Sequence, residues 1–128
     1  MTADRETAVR QAVERLGVLL FAKDAAIAEE FAPDAVLAGS ETGERADGRD
    51  AVAKLFAGLM EKPRTVRWAW DSLDVSVAGD LAWIFAEGNA LLGQDDGERA
   101  FPYRLSGVLR FRDGTWRWQL FHGSEPAG

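Results

Sequence analysis

Helical periodicity fills the first half of the chain and a two-residue alternation fills the second. Val9, Val13, Leu16 and Leu20 recur three and four residues apart, which predicts an amphipathic helix over residues 4–21 with Asp4 as its N-cap. A shorter helix is predicted from its cap, Asp24, to Phe31, with Ile27 and Phe31 on one side. Pro33 closes it, because the residue before a proline is driven out of the helical region. Asp34 to Ala38 reads as a short strand, and Gly39 to Gly48, polar and with three glycines, as a loop. Val52, Leu55, Phe56 and Leu59 form the stripe of a third helix that ends near Glu61, ahead of Pro63.

After Pro63 the period is two. Val66, Trp68 and Trp70 share one parity, whereas Leu73, Val75 and Val77 share the other, so a long strand carries a bulge or bend near Asp71 and Ser72. Ala78-Gly79-Asp80 is a turn. Leu81, Trp83, Phe85, Glu87 and Asn89 alternate with Ala82, Ile84, Ala86 and Gly88, and the small apolar second face implies that both sides are partly covered. Residues 93–98 read as a polar loop. Phe101 to Arg112 and Trp116 to His122 then flank Asp113-Gly114, a strong hairpin signal. On the second of these strands Trp116, Trp118, Leu120 and His122 fall on one face.

Helices followed by a meander of long strands make this an α+β chain, a single domain over residues 1–128 without repeat or linker. A sheet curved around its helices can hold a cavity between them, and such interiors are the usual ligand sites.

Composition narrows the function. Hydrophobic residues make up 47% and charged residues 28% of the 128, the balance of a globular chain rather than a disordered one. The net charge of -6 and the lack of a basic stripe argue against nucleic acid and against an anionic membrane surface. Without cysteine there is no disulfide, thiolate nucleophile or cysteine metal site, and one histidine is too few for a usual zinc or iron site. No cofactor is expected. No apolar run reaches membrane-spanning length and the N-terminus has no signal-peptide core, so a cytoplasmic location is the default expectation.

The candidate chemistry lies in the strands. His122, the one imidazole, has an ordinary pKa near ~6.5 suited to acid–base work, and is either a pocket residue or a hydrogen-bonded structural one. Glu87, on the Trp83 and Phe85 face, is a second catalytic candidate or a structural partner of Arg104. Arg104 and Ser106 are either a polar clamp for a ligand oxygen or solvent and interface residues, depending on which parity of their strand faces the helices. Tyr103 is the only tyrosine, a hydrogen-bond donor to a ligand or a core-edge residue. Trp83, Trp118 and Leu120 are the candidate apolar lining. Trp68, Trp70 and Trp116 read first as core or interface side chains, and Asp34 and Glu41 as secondary polar candidates. No phosphate loop, nucleophile elbow or metalloprotease motif is present.

The segments KDAAIAEEFAPDAVLAG, GRDAVAKLF, GDLAWIFAEG and YRLSGVLRFRDGTWRWQLFHGSEP, in that order, resemble the SnoaL-like and ketosteroid-isomerase-like branch of the nuclear transport factor 2-like (NTF2-like) superfamily. The resemblance covers residues 5–126, and the His-x-Ser-x-Pro ending after a tryptophan is its most specific part. It implies a cone-shaped, cystatin-like α+β fold, three N-terminal helices in a strongly curved, mostly antiparallel sheet with a pocket between, and a homodimer through the open sheet face. It also implies a small apolar, carbonyl-bearing ligand with isomerase, cyclase or dehydratase-type chemistry, or else a non-catalytic binding or association domain. The isomerase's general-base aspartate matches about Gly39, its oxyanion-stabilising aspartate about Gly107 and its tyrosine about Leu16. None of the three can do that chemistry, so steroid isomerisation by the known route is not expected.

Overall fold

The computed structural model describes residues 2–126. Helix α1 (Thr2–Phe21) is followed by a short 3-10 helix (Ala25–Glu30), strands β1 (Phe31–Ala38) and β2 (Arg45–Asp47), helix α2 (Arg49–Met60), and four strands, β3 (Thr65–Ala78), β4 (Leu81–Gln94), β5 (Gly97–Arg112) and β6 (Thr115–Ser124). The six strands make one sheet in the order β2-β1-β6-β5-β4-β3. Only β1 and β6 run parallel; every other neighbouring pair is antiparallel.

The helical stripe is the core stripe. Val9, Val13, Leu16 and Leu20 are all buried, together with Ala12, and α1 packs its stripe against the sheet. Asp4 sits in the first turn rather than at the cap, where its charge still complements the helix dipole. Asp24 does cap, accepting from Ala26 N–H at 2.9 Å. The segment after it is 3-10 rather than α-helical and stops at Glu30. Phe31 already belongs to β1, so Pro33 lies within that strand. Proline lacks a ladder donor, and β1 accommodates it where its register against β6 shifts, between Phe31 and Val36. Helix α2 starts after Gly48 and closes at Glu61.

Two loops expected from the sequence are shorter than their polarity suggested. Residues 39–44 turn β1 back into β2, which pairs Val36 to Ala38 with Arg45 to Asp47. Gln94 and Gly97 pair across a turn of Asp95 and Asp96, so β4 and β5 form one long hairpin. Hydrogen-bonded backbone overrode side-chain polarity in both places. The Asp113-Gly114 turn has positive φ at both residues, 54 and 79, the geometry of a type I′ hairpin turn.

Bulges decide which side chains face the helices. In β3 the register shifts between Trp70 and Ser72, so Val66, Trp68 and Trp70 point inward and, beyond the bulge, Leu73, Val75 and Val77 do. A second shift pairs Val108 with Leu120 but Leu109 with Trp118, leaving Gln119 as the extra residue of β6. Trp116 and Trp118 therefore face the core, whereas beyond Gln119 the inward residue is Phe121. Leu120 and His122 turn outward. Among the described residues no helix is long and apolar enough to cross a membrane.

Candidate functional site

Six of the sequence-selected residues meet on the sheet surface facing away from the helices. Phe85, Ser106, His122 and Ala38 follow one another across β4, β5, β6 and β1 in direct register. The adjacent row holds Trp83, Val108, Leu120 and Val36, and the row on the other side holds Glu87, Arg104 and Ser124. Arg104 Nε donates to Glu87 Oε2 at 3.0 Å, with both side chains about half exposed. Trp83 is 51% exposed and Phe85 40%. His122, Glu87, Arg104, Ser106, Trp83 and Leu120 are thus brought together, but outside the cone. Trp118 and Tyr103 face its interior.

Trp118 is wholly buried, its ring against Phe31 and Phe121, and its Nε1 finds no hydrogen-bond acceptor among the described residues. It is a core residue. Tyr103 instead lines a half-open cavity of about 110 Å³ between α1, α2 and the inner sheet face. On the same measure one water needs about 10–15 Å³, so the space suits a small organic molecule. Its walls are apolar: Leu37, Leu55, Phe56, Trp68, Phe121 and their neighbours. The polar residues of the lining are Ser40, Glu41, Glu44, Arg64, Glu125 and Tyr103.

The tight β1–β2 turn supplies much of that polar lining. Gly39 N–H donates to Glu44 O at 2.7 Å, and Glu44 Oε1 accepts from Glu41 N–H at 2.9 Å, so the Glu44 carboxylate is held while its second oxygen stays available. Tyr103 comes from β5, its ring packed beside Trp68 and Trp70 at 6.1 and 6.2 Å between centroids. Only 8% of Tyr103 is exposed, and its hydroxyl makes no hydrogen bond among the described residues. Burial, reinforced by the carboxylates of Glu44 and Glu125, pushes the phenol's pKa well above its ordinary value. The cavity is therefore lined by a phenol that keeps its proton and has no acceptor among the described residues.

The three positions that match isomerase catalytic groups have other occupations here. Leu16 is fully buried in the helical stripe. A side chain on Gly107 would meet Trp118 Cζ3 and Leu120 O, each 2.6 Å from its Cβ. A Cβ on Gly39 would lie 2.6 Å from Glu44 Oε1, so Glu44 fills the space that a side chain at 39 would take. Asp34 is an exposed residue of β1, where its Oδ1 accepts from Gln119 Nε2 at 3.0 Å.

Glu44, Arg64, Glu125 and Phe121 were not singled out from the sequence as ligand contacts, and Trp68 was read as a core or interface side chain first and a ligand platform second. Glu44 lies in the turn just ahead of β2, a strand only three residues long, and Phe121 reaches the cavity because Gln119 bulges. Among the described residues no three His, Asp or Glu side chains converge in a way that could hold a metal ion.

A family model described as a SnoaL-like domain matches residues 9–128. A comparison with curated proteins finds no match. Among solved structures, a candidate dehydratase of the NTF2-like family from Streptomyces avermitilis superposes with a TM-score of 0.90 at 16% identity, covering 100% of both chains. An NTF2-like protein of unknown function from Pseudomonas putida KT2440 gives 0.86 at 24% identity, over 100% of this chain and 91% of that one. A Catenulispora acidiphila structure in complex with S-DNPA gives 0.84 at 20% identity, over 96% and 94%. At these identities the likeness establishes the NTF2-like fold.

Proposed function

The chain belongs to the SnoaL-like domain family, and from that premise we propose that its cavity binds a small apolar molecule carrying a carbonyl group. Tyr103 carries this reading: a mostly buried residue in the lining of an apolar cavity, whose hydroxyl stays protonated and has no hydrogen-bond partner among the described residues. A hydroxyl in apolar surroundings makes a stronger hydrogen bond to a ligand oxygen than one in water does. The carbonyl oxygen accepts from Tyr103 Oη, and the apolar body lies against Trp68, Phe56 and Phe121.

The same pair of groups supports acid–base chemistry of the isomerase or dehydratase kind. Glu44 takes the proton from the carbon next to the carbonyl, the electron pair moves onto the oxygen, and Tyr103 holds the resulting enolate by its hydrogen bond. The proton returns to a different carbon in an isomerisation. In a dehydration it leaves with a hydroxyl from the β carbon as water. The Streptomyces avermitilis neighbour's description as a candidate dehydratase agrees with this at the level of fold alone. His122 and Glu87 take no part in this reading, because they lie on the opposite surface of the sheet. The test is titration of an aromatic ketone into the wild-type protein and Tyr103→Phe, with hydrogen–deuterium exchange at the ketone's α carbon as the readout of proton transfer.

A second role rests on the outer face. Leu81, Trp83 and Phe85 of β4 and Leu120 of β6 are large apolar side chains left exposed on one face of the sheet, the kind of surface that marks an interaction site when it is contiguous. We propose that a second copy of the chain covers it, with Arg104, Glu87, Ser106 and His122 supplying the polar contacts of a homodimer.

A further inference from the structure

Gly39 and Gly43 stand in the same turn for different reasons. Gly43 has a φ of 86, in the left-handed region that favours glycine, and a side chain there would meet open space. Gly39 lies outside that region, so its backbone itself does not call for glycine. What excludes a side chain at 39 is Glu44. A Cβ there would lie 2.6 Å from Glu44 Oε1, 2.8 Å from its Cβ and 2.9 Å from its Cδ, so the acidic side chain is laid over the bare α carbon of Gly39. Three hydrogen bonds hold it in that place. Gly39 N–H donates to Glu44 O at 2.7 Å, Glu44 N–H to Glu41 O at 3.1 Å, and Glu41 N–H to Glu44 Oε1 at 2.9 Å. Both Gly39 and Glu44 line the cavity, and both are half-buried.

We propose that Gly39 is a positioning residue: by carrying no side chain it fixes where the Glu44 carboxylate sits against a ligand's α carbon. This rests on the proton-transfer reading above, in which the α C–H bond breaks as the proton passes to Glu44 and, in D2O, a C–D bond forms in its place. A methyl group at 39 pushes the carboxylate aside, and a displacement of about 1 Å in a group that must meet a C–H bond costs about tenfold or more in rate. Ketone binding, carried by Tyr103 and the apolar walls, is left nearly intact.

The test is deuterium exchange at the acetyl methyl group of 4-acetylbenzyl alcohol, with binding followed by NMR, in wild type, Gly39→Ala, Glu44→Gly and the double variant. Gly39→Ala is expected to slow exchange at saturating ketone about tenfold or more while changing affinity by less than about threefold. In the Glu44→Gly background, where the side chain it displaces is gone, Gly39→Ala makes no further difference. Gly43→Ala strains the same turn without touching Glu44 and keeps wild-type exchange. Undiminished exchange in Gly39→Ala, an equal slowing in the Glu44→Gly background, or an equal slowing in Gly43→Ala overturns the positioning role and leaves proton transfer standing. If circular dichroism shows that Gly39→Ala alone does not fold, the double variant is expected to fold. Its failure to do so would place the crowding outside the Glu44 side chain and overturn the assignment. Absence of exchange above the solvent rate in wild type overturns both readings.

Discussion

Gly123 faces the Tyr103 hydroxyl so closely that a methyl group at 123 would overlap the phenol oxygen. The glycine of β6 is therefore what lets the tyrosine of β5 keep its polar end in the cavity. Gly123→Ala is expected to destabilise the protein by about 1–3 kcal/mol, the usual cost of overpacking, and to weaken ligand binding in the same variant. Denaturant titration and calorimetry check the two effects. A variant as stable as wild type would show that the contact relaxes without moving the ring.

Alkaline pH reports the same tyrosine. Its pKa is raised by burial above the ordinary value of about 10. Above that pH the unfolded chain releases the phenol proton while the folded chain retains it, so the unfolded state binds fewer protons and stability falls as pH rises. Tyr103→Phe removes this component. Its denaturation midpoint should fall less steeply than that of wild type above about pH 10. Because Tyr103 is the only tyrosine, the phenolate absorbance of the wild-type protein titrates one group and checks the direction independently.

Asp34 and Gln119 give an acid-side counterpart. The hydrogen bond from Gln119 is the largest cause holding the Asp34 carboxyl below its ordinary range. Gln119→Ala should let that pKa rise toward the ordinary carboxylate value, seen by NMR titration of the Asp34 side chain. The small stabilisation tied to the ionised form is present above the unfolded pKa and is lost as pH falls through the folded one. An unchanged pKa would contradict the assigned cause.

The sheet architecture was readable from periodicity wherever a run was long. The parity change near Asp71 appears in the sequence as a break between Trp70 and Leu73, and β3 bulges there. The break in β6 was invisible, because tryptophan, leucine and histidine all suit a continued alternation. One unpaired Gln119 then sent Leu120 and His122 to the outer face and Phe121 to the inner one. That single residue accounts for Leu120 and His122, whereas Trp83, Glu87, Arg104 and Ser106 face outward by the unbroken parity of β4 and β5. Tyr103 was legible as a candidate because its strand's apolar parity continued without a break. Glu44 and Glu125 were not, since loop and terminal carboxylates carry no period.

The outer face makes its own prediction. Trp83→Lys with Phe85→Lys should convert a concentration-dependent dimer to a monomer in analytical ultracentrifugation, with little change in far-ultraviolet circular dichroism, because both side chains are solvent-exposed in the single chain. A wild-type protein that sediments as a monomer at high concentration would remove the homodimer.

The most direct test of a carbonyl-binding cavity is an NMR titration of wild type and Tyr103→Phe with 4-acetylbenzyl alcohol. Saturable shifts at Trp68 and Phe121 in wild type are predicted, with affinity lowered about tenfold in Tyr103→Phe, the loss expected for one hydrogen bond in a desolvated site. Equal affinities in the two proteins, or shifts confined to Trp83 and His122 on the outer face, would contradict it.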